Sequence, residues 1–74
     1  MKTYQLPGDI VATVYDDGSA KLCHFGTCAF YDRHGDETTL CRRSDLWWIA
    51  TGTKKPEMPV GPQLEALGYK ADPC

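Results

Sequence analysis

IVATVYDDGSAKLCHFGTCAFY, residues 10–31, decides what kind of fold this chain makes. Ile10-Val11-Ala12-Thr13-Val14-Tyr15 is rich in β-branched residues and too short for a stable helix, so it reads as a strand. Asp17-Gly18 follows, and Asp-Gly between two β-prone runs is a hairpin signal. Residues 20–31 then read as one second strand, with Gly26 marking a bulge or bend inside it. A two-residue Asp17-Gly18 loop sets Ala12 opposite Cys23.

Working outward, Pro7-Gly8 closes a short N-terminal arm. Residues 32–36 are a second turn, and residues 37–42, ETTLCR, form a short third strand. Residues 46–51, LWWIAT, read as a fourth strand because aromatic and β-branched residues favour a pleated surface. The rival is a helix with Ser44 at its start and Asp45 in its first turn. The strand is preferred because Gly52 leaves few residues for a helix. Residues 52–62 hold three prolines and read as an irregular segment. Residues 63–67 make a short helix, with Pro62 at its first position and Gly68 past its end. The expected fold is therefore α+β and mostly β: a small antiparallel sheet of three to four strands with a short C-terminal helix. All 74 residues belong to one small domain. The opening PGDIVATVYDDGSAKL has the rhythm with which small SH3-like barrels begin, a rhythm shared by many unrelated hairpins.

Composition bounds function. With 74 residues the core supplies no more than roughly 3–5 kcal/mol. A hydrophobic share of 42% is still enough for a folded domain. The net charge of −2 gives no general attraction to nucleic acid or anionic lipid. It divides unevenly: −3 over residues 1–41, +3 over 42–55 and −2 over 56–74. No apolar run has the length of a signal sequence or a spanning helix, so the expected location is the cytoplasm, with no membrane contact. Structural disulfides are not expected there.

Cysteine and histidine crowd into residues 22–41. With a two-residue His34-Gly35 loop, Tyr31 faces Thr38 and Cys28 faces Cys41. Cys23 and Cys28 differ by five positions, so they point to opposite faces of an unbroken strand unless Gly26 bulges. Three readings compete. Cys23, Cys28, His34 and Cys41 spell C-x4-C-x5-H-x6-C, a stretched relative of zinc-knuckle order, and zinc would add stability to a small core. However, structural zinc favours tighter cysteine pairs, and His24 substitutes equally well for His34. A Cys28–Cys41 disulfide is the second reading. The favoured third is that these cysteines are small apolar fillers, with no cofactor bound. Cys74 is incidental.

No catalytic constellation stands out. Cys23 and His24 are strand neighbours facing apart, and only Cys28, His34 and Asp36 could meet around one hairpin. No phosphate-binding glycine loop or dinucleotide fingerprint occurs. A chain this short has little room for a substrate pocket. The acidic residues Asp9, Asp16, Asp17, Asp32, Asp36 and Glu37 fall in turns, where backbone needs favour them. The expectation is a protein that is not an enzyme.

Arg42-Arg43-Ser44-Asp45-Leu46-Trp47-Trp48 is the remaining signal. One of the adjacent tryptophans must enter the core and the other stay at the surface. An exposed Trp beside Arg is a common interface anchor. The expected contact surface is Trp47 or Trp48 with Arg42, Arg43 and Tyr31. The expected partner is another protein, as for a small cytoplasmic inhibitor or adaptor of phage or mobile-element type. The alternative is a zinc module contacting nucleic acid, with Lys54 and Lys55 adding charge; the negative net charge lowers it. Residues 10–15, if an unpaired edge, would offer a homodimer contact by sheet extension.

Overall fold

The computed structural model describes residues 1–39, 41 and 43–72. Strands β1 (Lys2–Leu6), β2 (Ile10–Val14), β3 (Ala20–His24) and β4 (Thr27–Tyr31) form one antiparallel sheet in the order β1-β2-β3-β4. Two short helices follow, α1 (Asp45–Thr51) and α2 (Val60–Ala66). The fold is α+β, as the sequence implies. The sheet is a meander with β1 and β4 as its edges.

Alternation along each strand divides the two faces. Tyr4, Leu6, Ile10, Ala12, Ala20, Leu22, Ala29 and Tyr31 are buried on one face, and Leu46, Trp47, Ala50, Val60 and Leu64 of the helices complete the core against them. The opposite face carries Thr3, Gln5, Val11, Thr13, Lys21, Cys23, Cys28 and Phe30, each half-buried or exposed. The helices thus supply the second layer that a sheet needs on its apolar side.

Several expectations change. The N-terminal arm is strand β1, whose Tyr4 and Leu6 are buried although Lys2 and Gln5 between and beside them are polar. Pairing with β1 makes residues 10–14 an interior strand, so they offer no edge for a homodimer. The outer side of β1 is itself met by the C-terminal segment: Asp72 donates its backbone N–H to the Thr3 carbonyl at 2.7 Å. The run 20–31 is two strands, because Phe25-Gly26 reverses the chain. Its first hairpin is also shifted by one from expectation: Ala12 pairs with Leu22 and Val11 with Cys23. Beyond Tyr31 the expected third strand reduces to a single bridge, Tyr31 with Glu37, and a bond from Thr38 N–H to the Phe30 carbonyl. Leu40 and Arg42 of that segment lie outside the described residues.

Residues 46–51 are helical, not a strand. On a helix Leu46, Trp47 and Ala50 fall within about 100° of one another, and all three are buried. That apolar stripe packing on the sheet outweighs weak propensity and short length, since helix stability in proteins comes mainly from such packing. Gly52 ends the helix, donating its N–H to the Trp48 carbonyl at 2.8 Å. Trp47 Nε1–H donates to Thr53 Oγ1 at 2.8 Å, which satisfies the buried indole. Helix α2 begins at Val60, three residues earlier than expected, with Pro62 still inside its first turn where no N–H is needed. Gly61 lets it close onto Val14 of β2. Gly35 is buried where the turn after β4 meets the proline segment, with no room for a Cβ against the Met58 carbonyl oxygen. That contact helps place residues 52–59 beside the turn.

Candidate functional site

The turn after β4, the start of α1 and the segment beyond it surround a cleft of about 510 Å³. Asp36 and Glu37 come from the turn, Asp45 and Trp48 from α1, and Lys54 and Lys55 from the segment after it. Trp48 is 60% exposed, whereas its neighbour Trp47 is fully buried. The helix makes this split: adjacent residues sit about 100° apart, so one ring enters the core while the next leaves it.

The charges of the cleft are of both signs. Asp45 is held by Arg43, whose Nε and Nη2 donate to its two carboxylate oxygens at 2.9 and 3.0 Å. This fork keeps the Asp45 carboxyl below its usual range. The remaining Arg43 nitrogen, Nη1, donates to Thr27 Oγ1 at 3.1 Å, at the tip of the β3–β4 hairpin. Arg43, expected at the contact surface, thus also clamps the hairpin to the helix. Asp36, Glu37, Lys54 and Lys55 line the same cleft, and among the described residues no ion pair joins them.

Tyr31, also expected at the contact surface, is buried. Its ring meets Trp47 edge to face at 6.2 Å between centroids. Its hydroxyl is the buried polar atom without a partner among the described residues. Burial, then the neighbouring Cys41, Glu37 and Asp45, push its pKa up. Trp47 and Tyr31 are thus core residues, and Trp48 is the expected aromatic that reaches solvent. Arg42 lies outside the described residues.

The favoured reading of the cysteines as unbonded apolar fillers does not hold for Cys23 and Cys28, and the bond formed is not the alternative Cys28–Cys41 pair. Cys23 and Cys28 face each other across β3 and β4, with Cα atoms 4.1 Å apart, and form a disulfide. The turn at Phe25-Gly26 brings onto one face two residues that an unbroken strand would separate. Cys41 is a half-buried thiol packed against the core, not opposite Cys28. The candidate C-x4-C-x5-H-x6-C set, disfavoured from the sequence, is not assembled, because two of its sulfurs are bonded to each other. Among the described residues no group of three His, Cys, Asp or Glu side chains is arranged to hold a metal ion. The triad of Cys28, His34 and Asp36 fails for the same reason. Cys74 lies outside the described residues.

Two of the acidic turn residues, Asp17 and Asp32, serve the backbone. Asp17 Oδ1 accepts from Ser19 Oγ at 2.6 Å and Ser19 N–H at 2.9 Å. Asp32 Oδ1 accepts from the N–H groups of His34 and Asp36 at 2.8 and 3.1 Å. These bonds lower both carboxyls, by Ser19 hydroxyl donation first for Asp17 and by the Asp36 amide first for Asp32.

Sequence reasoning missed Phe25. It is 82% exposed at the hairpin tip, with its ring edge-on to His24 at 4.5 Å. Its signal was the two cysteines flanking four residues, which a hairpin can bridge and a continuous strand cannot. The molecule is a small α+β domain with helices on one sheet face, a mixed-charge cleft around an exposed tryptophan and a disulfide-closed hairpin. Comparison with protein-family models, curated proteins and solved structures finds no match to this chain. Among the described residues no helix is long and apolar enough to cross a membrane.

Proposed function

We propose that this chain works by binding another protein, in the manner of an inhibitor or adaptor, and not by catalysis. The observation that carries the reading is Trp48, exposed at a cleft while its neighbour fills the core. Exposed aromatics on rigid elements, ringed by polar groups, are the usual anchors of protein interfaces. Asp36 and Glu37 together with Lys54 and Lys55 in the lining fit a partner segment carrying both charges. The mixed signs and the net charge of −2 weigh against nucleic acid, whose affinity comes from phosphate neutralisation. The zinc alternative would need Cys23 and Cys28 as free thiolates.

The cytoplasmic location expected from the sequence is at odds with the Cys23–Cys28 bond, because cytosolic thiols are kept reduced. Alkylation of thiols in intact cells decides it: labelling at both residues supports the cytoplasm, and protection at both overturns it.

The test of function places a photo-crosslinking amino acid at position 48, identifies the adduct, and measures its affinity for the purified chain. Trp48→Ala is expected to lose about 2 kcal/mol or more of binding, roughly thirtyfold, with the fold intact. Unchanged affinity, or an adduct with nucleic acid, would overturn the reading.

A further inference from the structure

Phe25 breaks two local rules at once. It is the first residue of a two-residue turn, with φ +46°, and Gly26 follows at φ +88°. Two positive φ angles are the pattern of a type I′ hairpin, which Asn, Asp and Gly supply with least strain. An aromatic residue there is a steric outlier. It is also the most exposed of the large hydrophobic residues described. Its one ring contact, edge-on with His24, leaves it 82% exposed, so neither core packing nor turn chemistry accounts for a phenylalanine at this position. Such outliers persist where the surroundings over-determine them, and they gather at functional sites.

The surroundings of Phe25 are stiff. The Cys23–Cys28 disulfide closes the strands directly beneath the turn. Thr27 Oγ1 donates to the His24 carbonyl at 2.9 Å, bridging the turn itself. Arg43 Nη1 holds the same Thr27 hydroxyl from the side of α1. The ring is therefore presented on a backbone with little freedom left to lose on docking, which is the condition under which one side chain contributes most to affinity.

We propose that the tip between Cys23 and Cys28 is a plug: Phe25 enters an apolar pocket, one aromatic ring deep, on the protein that covers the Trp48 cleft. The inference rests on the binding function proposed above and names its second anchor. Tip and cleft adjoin through one ion pair, since Arg43 holds Thr27 at the tip and Asp45, which borders the cleft. A partner spanning both would meet two aromatic anchors with the Arg43–Asp45 pair between them. A lipid surface or a stacked base fits less well. Both call for free cations near the aromatic ring, and Arg43 beside the tip is already bound to Asp45.

The experiment uses the full oxidised chain. Phe25→Asn gives the turn a residue it favours, so the melting temperature is expected to rise by about 4 °C or more. A photo-crosslinker at position 25 is expected to form one discrete protein adduct, the same protein reached from position 48. Affinity of that protein for Phe25→Asn is expected to fall by about thirtyfold or more. A lowered melting temperature would show that Phe25 holds the hairpin together, and would overturn the proposal. So would affinity within threefold of the parent chain, adducts only with lipid or a second copy of the chain, or no discrete adduct from position 25. Adducts and affinity loss at position 48 alone reject the plug and leave the cleft. The same results at position 25 alone reject the cleft and leave a plug that acts by itself.

Discussion

Trp47 and Trp48 are chemically identical and one peptide bond apart, yet their substitution should have opposite consequences. Trp47 is fully buried, touches Tyr31 and bonds Thr53. Trp47→Ala is expected to cost about 3–5 kcal/mol, which matches the whole stability margin of a domain this size, roughly 3–5 kcal/mol. The variant should be largely unfolded at room temperature by circular dichroism. Trp48→Ala should shift stability by no more than about 0.5 kcal/mol in either direction, as exposed sites do. Equal losses from the two would show that the helix faces the sheet differently. That the pair splits between core and solvent was legible in the sequence, because both a strand and a helix separate neighbours. Which ring goes inward was not: it depends on the phase of a helix set by Leu46 and Ala50.

Two elements were misread for one reason, that short segments take the structure their neighbours can pack. The run 46–51 has strand propensity but a helical stripe, and the sheet's apolar face selects the stripe. The run 20–31 lacks the usual Asn-Gly or Asp-Gly at its reversal, and Phe25-Gly26 turns where Cys23 and Cys28 are bonded. The bond closes a short loop of sequence separation 5. On the loop-entropy model its reduction is expected to destabilise the protein by about 2 kcal/mol. Denaturant unfolding with and without reductant measures this, and an unchanged midpoint would show that the hairpin is held without it. The Asp17-Gly18 hairpin, by contrast, was read correctly in kind, because its turn chemistry is local.

At the scale of the whole molecule, charge sets an acid limit. Asp17, Asp32 and Asp45 all titrate below their ordinary value of 3.8, through the Ser19 hydroxyl, the Asp36 amide and the Arg43 fork respectively. A carboxyl lowered in the folded state binds protons less readily than in the unfolded chain, so its contribution is complete above the ordinary value. As pH falls below 3.8 the unfolded chain takes up protons first, and the contribution is lost on reaching the folded pKa. Stability is therefore expected to be flat from neutral pH to about 5 as far as these groups are concerned, and to decline below about 4. Thermal melts across that range check the sign. A rise in stability on acidification would contradict the hydrogen bonds around all three.

The sequence by itself determined the class of the domain, the first hairpin, the acidic turns, the proline-rich segment and the presence of one surface tryptophan. Each of these follows from local chemistry: β-branched runs, residues that tolerate turns, and the separation of adjacent side chains. Tertiary structure decided the rest. It recruited the polar-looking N-terminus as β1, turned LWWIAT into a helix, paired Cys23 with Cys28, buried Tyr31 and tied Arg43 into a clamp. Those outcomes depend on which distant surface each segment meets, through burial of an apolar stripe or the approach of two strands, and no local window of sequence contains that partner.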